Sequence, residues 1–276
     1  MRRLNLFFEE GSVMTIERLI ELEDQGRLAG VLHIPENLKG TCPAVIYCPG
    51  KNGERYEVHR LAVKYARVLA ERGIATLRFD YYGMGLSDGF YYDMTTSTKV
   101  SNIQAAYRYT TNLDFVDNSK IAYLGFSDGA RIAIMAANRT KVDKVVIWSP
   151  LFNEYGGNYP NNKRPRFSRH EVQKDKIVMP WAGLWISMDF YRDLQRVNIM
   201  NEIKSYNDKS LLIFGGDDPL VKEEMVHMEI NELPIYNESA KNQTLTIPKA
   251  GHLFTSEKFE NLLMTKTLNW LLSQFG

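Results

Sequence analysis

The sequence predicts an α/β fold in which helices cover both faces of a mostly parallel sheet. Strand-like and helix-like apolar patterns alternate along most of the chain, which is typical of a parallel sheet with crossover helices. The length of 276 residues and the hydrophobic content of 44% suffice for one large domain with a sizeable core. The alternation stops between residues 151 and 206, so we expect a core of residues 1–150 and 207–276 with one insertion.

Short apolar runs indicate the strands, and apolar residues spaced three or four apart indicate the helices. A Gly-containing turn, Asp24-Gln25-Gly26, joins the first two strands into a hairpin, and Gly73 ends the first helix. In chain order the predicted strands are Met14 to Glu23, Arg27 to Ile34, Ala44 to Cys48, Ile74 to Phe79, Lys120 to Leu124, Lys144 to Trp148, Ser210 to Phe214 and Gln243 to Ile247. The predicted helices are Val58 to Arg72, Ser97 to Leu113, Ser127 to Asn138, Val221 to Leu233 and Thr255 to Phe275.

The inserted residues 151–206 begin without a regular pattern. Asn153 to Asn162 is rich in Gly, Asn and Tyr, and a basic run follows from Lys163 to Arg169. Apolar spacing then predicts a helix from Gly183 to Arg196. So long an insertion is more typical of a functional lid than of a connector.

Aromatic side chains in this predicted lid are candidates for a substrate pocket. Trp181, Trp185 and Tyr191, with Phe190 beside them, either line an acyl or aryl pocket or pack the lid onto the core, and the sequence leaves both open. The basic run is either a solvated loop or a surface for an anionic substrate, such as a phosphopantetheine thioester on an acyl carrier protein.

Composition excludes several classes of protein. The charge is nearly balanced, with 34 Lys+Arg against 33 Asp+Glu, so the chain is not built to hold nucleic acid by counterion release. No apolar run approaches the roughly 20 residues that span a bilayer. No metal-ligand spacing, P-loop or dinucleotide fingerprint occurs, and the turn from Gly83 to Gly89 has its third Gly one place late. We therefore expect no cofactor and no metal.

Two features bear on the compartment. The apolar stretch after Met1-Arg2-Arg3 is too short for the core of a signal peptide. Cys42 and Cys48 lie in one predicted strand, about 20 Å apart, which is too far for a disulfide. These features predict a reduced, cytoplasmic protein, and a secreted mature product stays open.

The strongest motif is Gly125-Phe126-Ser127-Asp128-Gly129, which matches G-x-S-x-G. A buried strand enters it and a helix leaves it, as a nucleophilic serine on a sharp strand-to-helix turn requires. Small flanking residues let the strand and helix pass closely, and the helix N-terminus favours a developing oxyanion. The other reading is a Gly-rich turn with a capping serine. The context favours Ser127 as a nucleophile.

A nucleophilic serine needs a base and a group that orients the base. Asp217 and Asp218 follow one late predicted strand, and His252 follows the last one. The order Ser, Asp, His is the order expected for this architecture, and strand carboxyl ends are where open α/β sheets build their sites. We expect His252 as the base and Asp218, directly before Pro219, as the acid, with Asp217 as the competing choice.

The loop Cys48-Pro49-Gly50-Lys51 follows an early strand and is placed to supply a backbone N–H to an oxyanion hole. We assign the N–H of Lys51 to this role and the N–H of Asp128 as the second donor. The alternative is an ordinary Gly-rich turn.

Together, the Gly125 to Gly129 turn, the segment Arg78 to Gly89, the Asp218-Pro219 turn and Gly251-His252 resemble the α/β-hydrolase superfamily. They are most similar to its lid-bearing serine aminopeptidase-like hydrolases and bacterial cinnamoyl and feruloyl esterases. The resemblance spans the chain from about Ala29 onward. It implies Ser127 as nucleophile, His252 as base, Asp218 as acid, and Lys51 and Asp128 as oxyanion donors. The chain departs from the family at Pro49-Gly50, where His-Gly is common.

The expected activity is hydrolysis of small acyl or aryl carboxylic esters through an acyl-enzyme. An acyl thioesterase or acyltransferase with the same triad is the main alternative, with a CoA or carrier-protein thioester as substrate. Lesser alternatives are a peptidase or amidase, a non-catalytic ligand receptor on the same fold and, last, an oxidoreductase.

Overall fold

The computed structural model describes residues 15–52, 54–153, 167–181, 183–227 and 233–276. Within these residues eight strands form one sheet, in the order β1-β2-β4-β3-β5-β6-β10-β11. The strands are β1 (Ile16–Glu23), β2 (Arg27–Ile34), β3 (Cys42–Cys48), β4 (Ala75–Phe79), β5 (Val116–Phe126), β6 (Lys144–Trp148), β10 (Lys209–Gly215) and β11 (Asn242–Ile247). Strand β2 pairs antiparallel with β1 and β4, and the other pairs are parallel. The predicted mostly parallel sheet is confirmed.

Helices pack on both faces of this sheet, because successive strand residues point to opposite sides. On one face Ile46 and Tyr123 belong to an apolar cluster with α2 (Thr96–Thr111) and α3 (Gly129–Thr140). On the other face Val45 and Leu124 belong to a second cluster with α1 (Leu61–Glu71) and α7 (Glu257–Phe275). The central strands are thus buried on both sides, which explains their unbroken apolar runs.

The inserted residues contain a second, small sheet. Strands β7 (Ser168–Arg169), β8 (Ile177–Trp181) and β9 (Leu184–Ser187) pair antiparallel, followed by α4 (Met188–Arg196) and α5 (Ile199–Ser205). The predicted helix from Gly183 is wrong over its first residues, because β9 pairs with β8. Ser187 then caps α4 by accepting the N–H of Asp189 at 3.1 Å. The Gly-, Asn- and Tyr-rich stretch after Asn153 and most of the basic run lie outside the described residues, and a lid function stays a prediction.

Two further helices differ from their predicted bounds. The helix predicted from Val58 begins at Leu61, and Val58–Arg60 form a short 3-10 turn before it. The helix predicted from Val221 begins at Pro219 as α6 (Pro219–His227), because proline suits the first turn of a helix. No helix among the described residues is long and apolar enough to cross a membrane.

Candidate active site

Ser127 occupies the sharp turn between β5 and α3. Its φ of 56° lies in the left-handed region, which non-glycine residues adopt mainly at constrained sites. A Cβ at Gly125 would overlap the backbone of Gly129, and a Cβ at Gly129 would overlap the carbonyl oxygen of Cys48. The two glycines of the motif are therefore required by close packing. This turn presents Ser127 at the carboxyl edge of the sheet.

Ser127, His252 and Asp218 form a chain of hydrogen bonds. The Nε2 of His252 lies 2.9 Å from the Oγ of Ser127, and its Nδ1 lies 2.8 Å from the Oδ2 of Asp218. Asp218 follows β10 and His252 follows β11, and these strands are parallel neighbours, so both loops lie at the same edge. The structure thus brings together three side chains that are 34 to 125 residues apart in sequence.

The Asp218 carboxylate is fully buried. Its Oδ1 accepts the N–H groups of Leu220 and Val221, at 3.0 and 3.1 Å, at the start of α6. Burial opposes ionisation, but the hydrogen bond and charge of His252 and the N–H of Val221 outweigh it, so the pKa of Asp218 lies below its ordinary value. Asp217 is exposed, 3.8 Å from Lys222. Asp218, and not Asp217, therefore contacts the imidazole.

The loop that carries Lys51 packs directly against the turn of Ser127. A Cβ at Gly50 would lie 3.6 Å from the Cβ of Ser127, which is van der Waals contact, so the two backbone segments are close neighbours. Helix α3 begins at Gly129, so the N–H of Asp128 precedes its first turn. The two predicted oxyanion donors thus belong to backbone segments that meet beside Ser127.

Behind this turn the side chain of Asp128 is buried between two cations. Its Oδ2 accepts from the Nζ of Lys99 in α2 at 2.8 Å, and its Oδ1 accepts from Arg131 in α3. Burial opposes ionisation of Asp128, but Arg131 and Lys99 hold its pKa well below the ordinary range. Burial lowers the pKa of Lys99, and Asp128 opposes that shift. Arg131 also donates to the carbonyl of Phe152 at 3.1 Å.

Sequence reasoning missed Lys99 and Arg131 as parts of the site. The available signal was weak: Lys99 is a lone cation beside the apolar Val100, and Arg131 lies two residues after the serine motif. The i,i+3 spacing of Asp128 and Arg131 allows an ion pair, but nothing in the sequence places Lys99 beside them.

Tyr191 and Trp185, two of the candidate pocket aromatics, have different surroundings. Tyr191 is half-buried, with its ring 5.7 Å from the Nζ of Lys51, which also lies 4.7 Å from the ring of Phe190. Trp185 is 44% exposed and packs edge-on against His170. Trp181 lies in β8, and its side chain is not among the described ones. Tyr191 therefore borders the oxyanion loop, whereas Trp185 faces solvent. No group of three metal-ligating side chains occurs in the described ranges.

A family model described as "Esterase FrsA-like" matches residues 10–154, just over half of the chain. The chain belongs to the α/β-hydrolase superfamily, in its FrsA-like esterase family. A second model, "BAAT / Acyl-CoA thioester hydrolase C terminal", matches this hydrolase over residues 98–257, which include the loops of Ser127, Asp218 and His252.

Individual relatives of this α/β hydrolase are distant. An uncharacterized protein of Mycobacterium tuberculosis is 27% identical over 235 residues, 85% of this chain and 71% of the relative. Esterase FrsA of Yersinia enterocolitica is 30% identical over 118 residues, 43% of this chain and only 27% of that esterase.

Solved structures show the same fold. Est1E from Butyrivibrio proteoclasticus with ferulic acid bound has a TM-score of 0.75 at 24% identity, covering 92% of this chain and 98% of Est1E. A dienelactone hydrolase from Anabaena variabilis has a TM-score of 0.62 at 18% identity, covering 94% and 98% of the two chains. At these identities the likeness concerns the fold alone.

Proposed function

We propose that this hydrolase cleaves small acyl or aryl carboxylic esters with Ser127 as nucleophile, His252 as general base and Asp218 as the acid that orients the base. The main support for this proposal is the continuous Ser127–His252–Asp218 hydrogen-bond chain at the turn before α3. The esterase family match supports the reaction class. The donor groups and the strained serine are those that acyl transfer requires.

In the proposed mechanism Nε2 of His252 takes the proton of Ser127 as its Oγ attacks the ester carbonyl. The backbone N–H groups of Asp128 and Lys51 stabilise the oxyanion. The intermediate collapses to an acyl-enzyme as the alcohol leaves with the proton held by His252. Water, deprotonated by His252, then attacks the acyl-enzyme, and the acid is released as Ser127 regains its proton. Asp218 keeps the imidazole in the required tautomer throughout.

The experiment is intact-mass analysis after incubation with a fluorophosphonate, followed by hydrolysis of p-nitrophenyl esters of graded acyl length. We expect one adduct on the wild type and none on Ser127→Ala. Ser87→Ala is the matched control, because Ser87 lies in a turn and hydrogen-bonds the backbone of Asp80 and Ala29. A folded wild type that neither labels nor hydrolyses any ester or thioester would refute the proposal.

A second candidate is hydrolysis of acyl thioesters, and the thioester-hydrolase family match favours it. The same triad performs either reaction, because the thiolate leaves as the alcohol does. Comparing kcat/KM for an oxyester and a CoA thioester of one acyl group separates the two. If the substrate is carried on an acyl carrier protein, neutralising Arg164 and Arg166 will lower the activity on the carrier-bound thioester alone.

A cytoplasmic location, supported by the free and buried Cys42 and Cys48, belongs to the same proposal.

A further inference from the structure

The segment between the oxyanion loop and α1 has an unusual backbone. Glu57, His59 and Arg60 have φ values of 56°, 38° and 61°, so three of four consecutive residues lie in the left-handed region. None of them is glycine, and such conformations persist only where surrounding contacts impose them. The contacts of this segment therefore identify the interactions that hold its backbone in this conformation.

Glu57 is almost fully buried and faces the oxyanion loop. Its Oε2 accepts the N–H of Gly50 at 2.9 Å and the hydroxyl of Tyr47 at 3.4 Å, and its Oε1 accepts the N–H of Val58 at 3.2 Å. Burial raises the pKa of Glu57, although these N–H groups oppose the shift. A carboxylate in such surroundings is costly to bury, and the groups that donate hydrogen bonds to it are neutral.

The other end of the segment contacts the histidine loop. The Nε2 of His59 lies 2.7 Å from the carbonyl oxygen of Leu253, the residue after His252, and its Nδ1 lies 3.0 Å from Glu260 in α7. The strained segment thus joins the loop before Lys51 to the loop of the proposed base.

We propose that Glu57 is a positioning residue that fixes the oxyanion loop through the N–H of Gly50. The inference rests on the proposed function, because it concerns the same site. The peptide of Gly50 precedes the N–H of Lys51, so anchoring one restricts the direction of the other. An oxyanion hole is effective only when its donors are already aimed before the reaction. Glu57 itself touches no substrate.

Residue 57 must place an oxygen atom within hydrogen-bond distance of the N–H of Gly50, and this role does not require a negative charge. A glutamine keeps an oxygen at the same distance from the N–H of Gly50, whereas an aspartate keeps the charge but is one methylene shorter. Glu71, exposed at the end of α1, provides the control Glu71→Gln. The test compares Glu57→Gln, Glu57→Asp and Glu57→Ala with the wild type in kcat and KM for an activated ester, and in the fluorophosphonate labelling rate. Thermal unfolding verifies that each variant is folded.

We expect Glu57→Ala and Glu57→Asp to lower kcat and the labelling rate by roughly 10²-fold, as for loss of one oxyanion donor, with KM changed less than about threefold. Glu57→Gln keeps kcat within about tenfold of the wild type. If Glu57→Ala does not fold, the comparison of Glu57→Gln with Glu57→Asp tests the proposal. Three results would overturn the proposal if Ser127 is still labelled: a kcat of Glu57→Asp equal to that of the wild type, a Glu57→Gln variant as impaired as Glu57→Asp, or an effect on KM alone. A wild type without labelling or turnover would instead refute the proposed function and this role with it.

Discussion

Replacing Asp128 by asparagine is predicted to destabilise the fold more than removing either of its cations alone. In the wild type one buried carboxylate faces two buried cations, Lys99 and Arg131. Asparagine keeps the shape but removes the negative charge that both cations contact. Lys99 and Arg131 then stay buried without that carboxylate. Breaking a buried ion pair by removing one partner costs about 3–5 kcal/mol, and Asp128→Asn belongs at the upper end of that range because Asp128 contacts two buried cations.

Lys99→Met provides the contrast. It leaves Asp128 and Arg131 as a neutral pair and fills most of the volume of the lysine stem, so we expect a cost of only about 1–2 kcal/mol. In the double variant the repulsion between Lys99 and Arg131 is also removed, and Arg131 keeps its bond to the carbonyl of Phe152. The double variant is therefore expected to be more stable than Asp128→Asn alone.

The assay is urea unfolding at pH 7, with Asp114→Asn as an exposed control of the same chemistry. The reasoning is refuted if Lys99→Met costs as much as Asp128→Asn, or if the two costs simply add in the double variant. Either result would mean that the three charges do not act as one electrostatic unit.

Three further predictions concern the triad, the turn and pH. Asp218→Asn is expected to lower kcat for esters roughly 10⁴-fold because asparagine no longer holds the required tautomer of His252, and steady-state kinetics with kcat near the wild-type value would contradict this. Gly129→Ala is expected to destabilise the fold by at least about 2 kcal/mol because its Cβ would overlap a neighbouring carbonyl, and an unchanged urea midpoint would argue against that packing. Burial lowers the pKa of His33 from 6.5 to about 4, so below pH 6.5 the unfolded chain takes up a proton that the folded chain does not. The free energy of unfolding that neutral His33 contributes above pH 6.5 is thus lost as the pH falls toward 4, by about 2 kcal/mol at pH 5. In His33→Gln, the free energy of urea unfolding is therefore expected to change less between pH 7 and pH 5 than in the wild type.

The position of the site could be predicted from sequence because it depends on topology. Ser127, Asp218 and His252 each follow a predicted strand, and parallel strands end at one edge of the sheet. The same reasoning left Asp217 and Asp218 in competition, since a carboxylate one residue earlier follows the same strand. The N–H groups at the start of α6 bind Asp218, and no periodicity encodes that contact.

Features that depend on tertiary contacts could not be predicted. The apolar spacing of Leu184, Met188 and Tyr191 fits a helix, yet pairing with β8 makes the first of these residues part of a strand. Lys99 and Arg131 are single polar positions on helices, and a cation on a helix is ordinarily solvated. The approach of α2 to α3 brings Lys99 to Asp128, whereas Arg131 contacts Asp128 from three residues farther along the chain.

The buried charges also fix where the insertion leaves the core. The N–H of Leu151 donates to the carbonyl of Ser127 at 3.1 Å, Arg131 binds the carbonyl of Phe152, and buried Glu224 of α6 accepts the N–H of Asn153 at 3.1 Å. The first residues after β6 are thus bound to the serine turn and to the helix that follows Asp218. Farther along the insertion, the ring of Tyr191 lies 5.7 Å from the Nζ of Lys51, beside the proposed oxyanion hole. Tyr191→Ala is therefore expected to alter KM among esters more than the rate of labelling at Ser127.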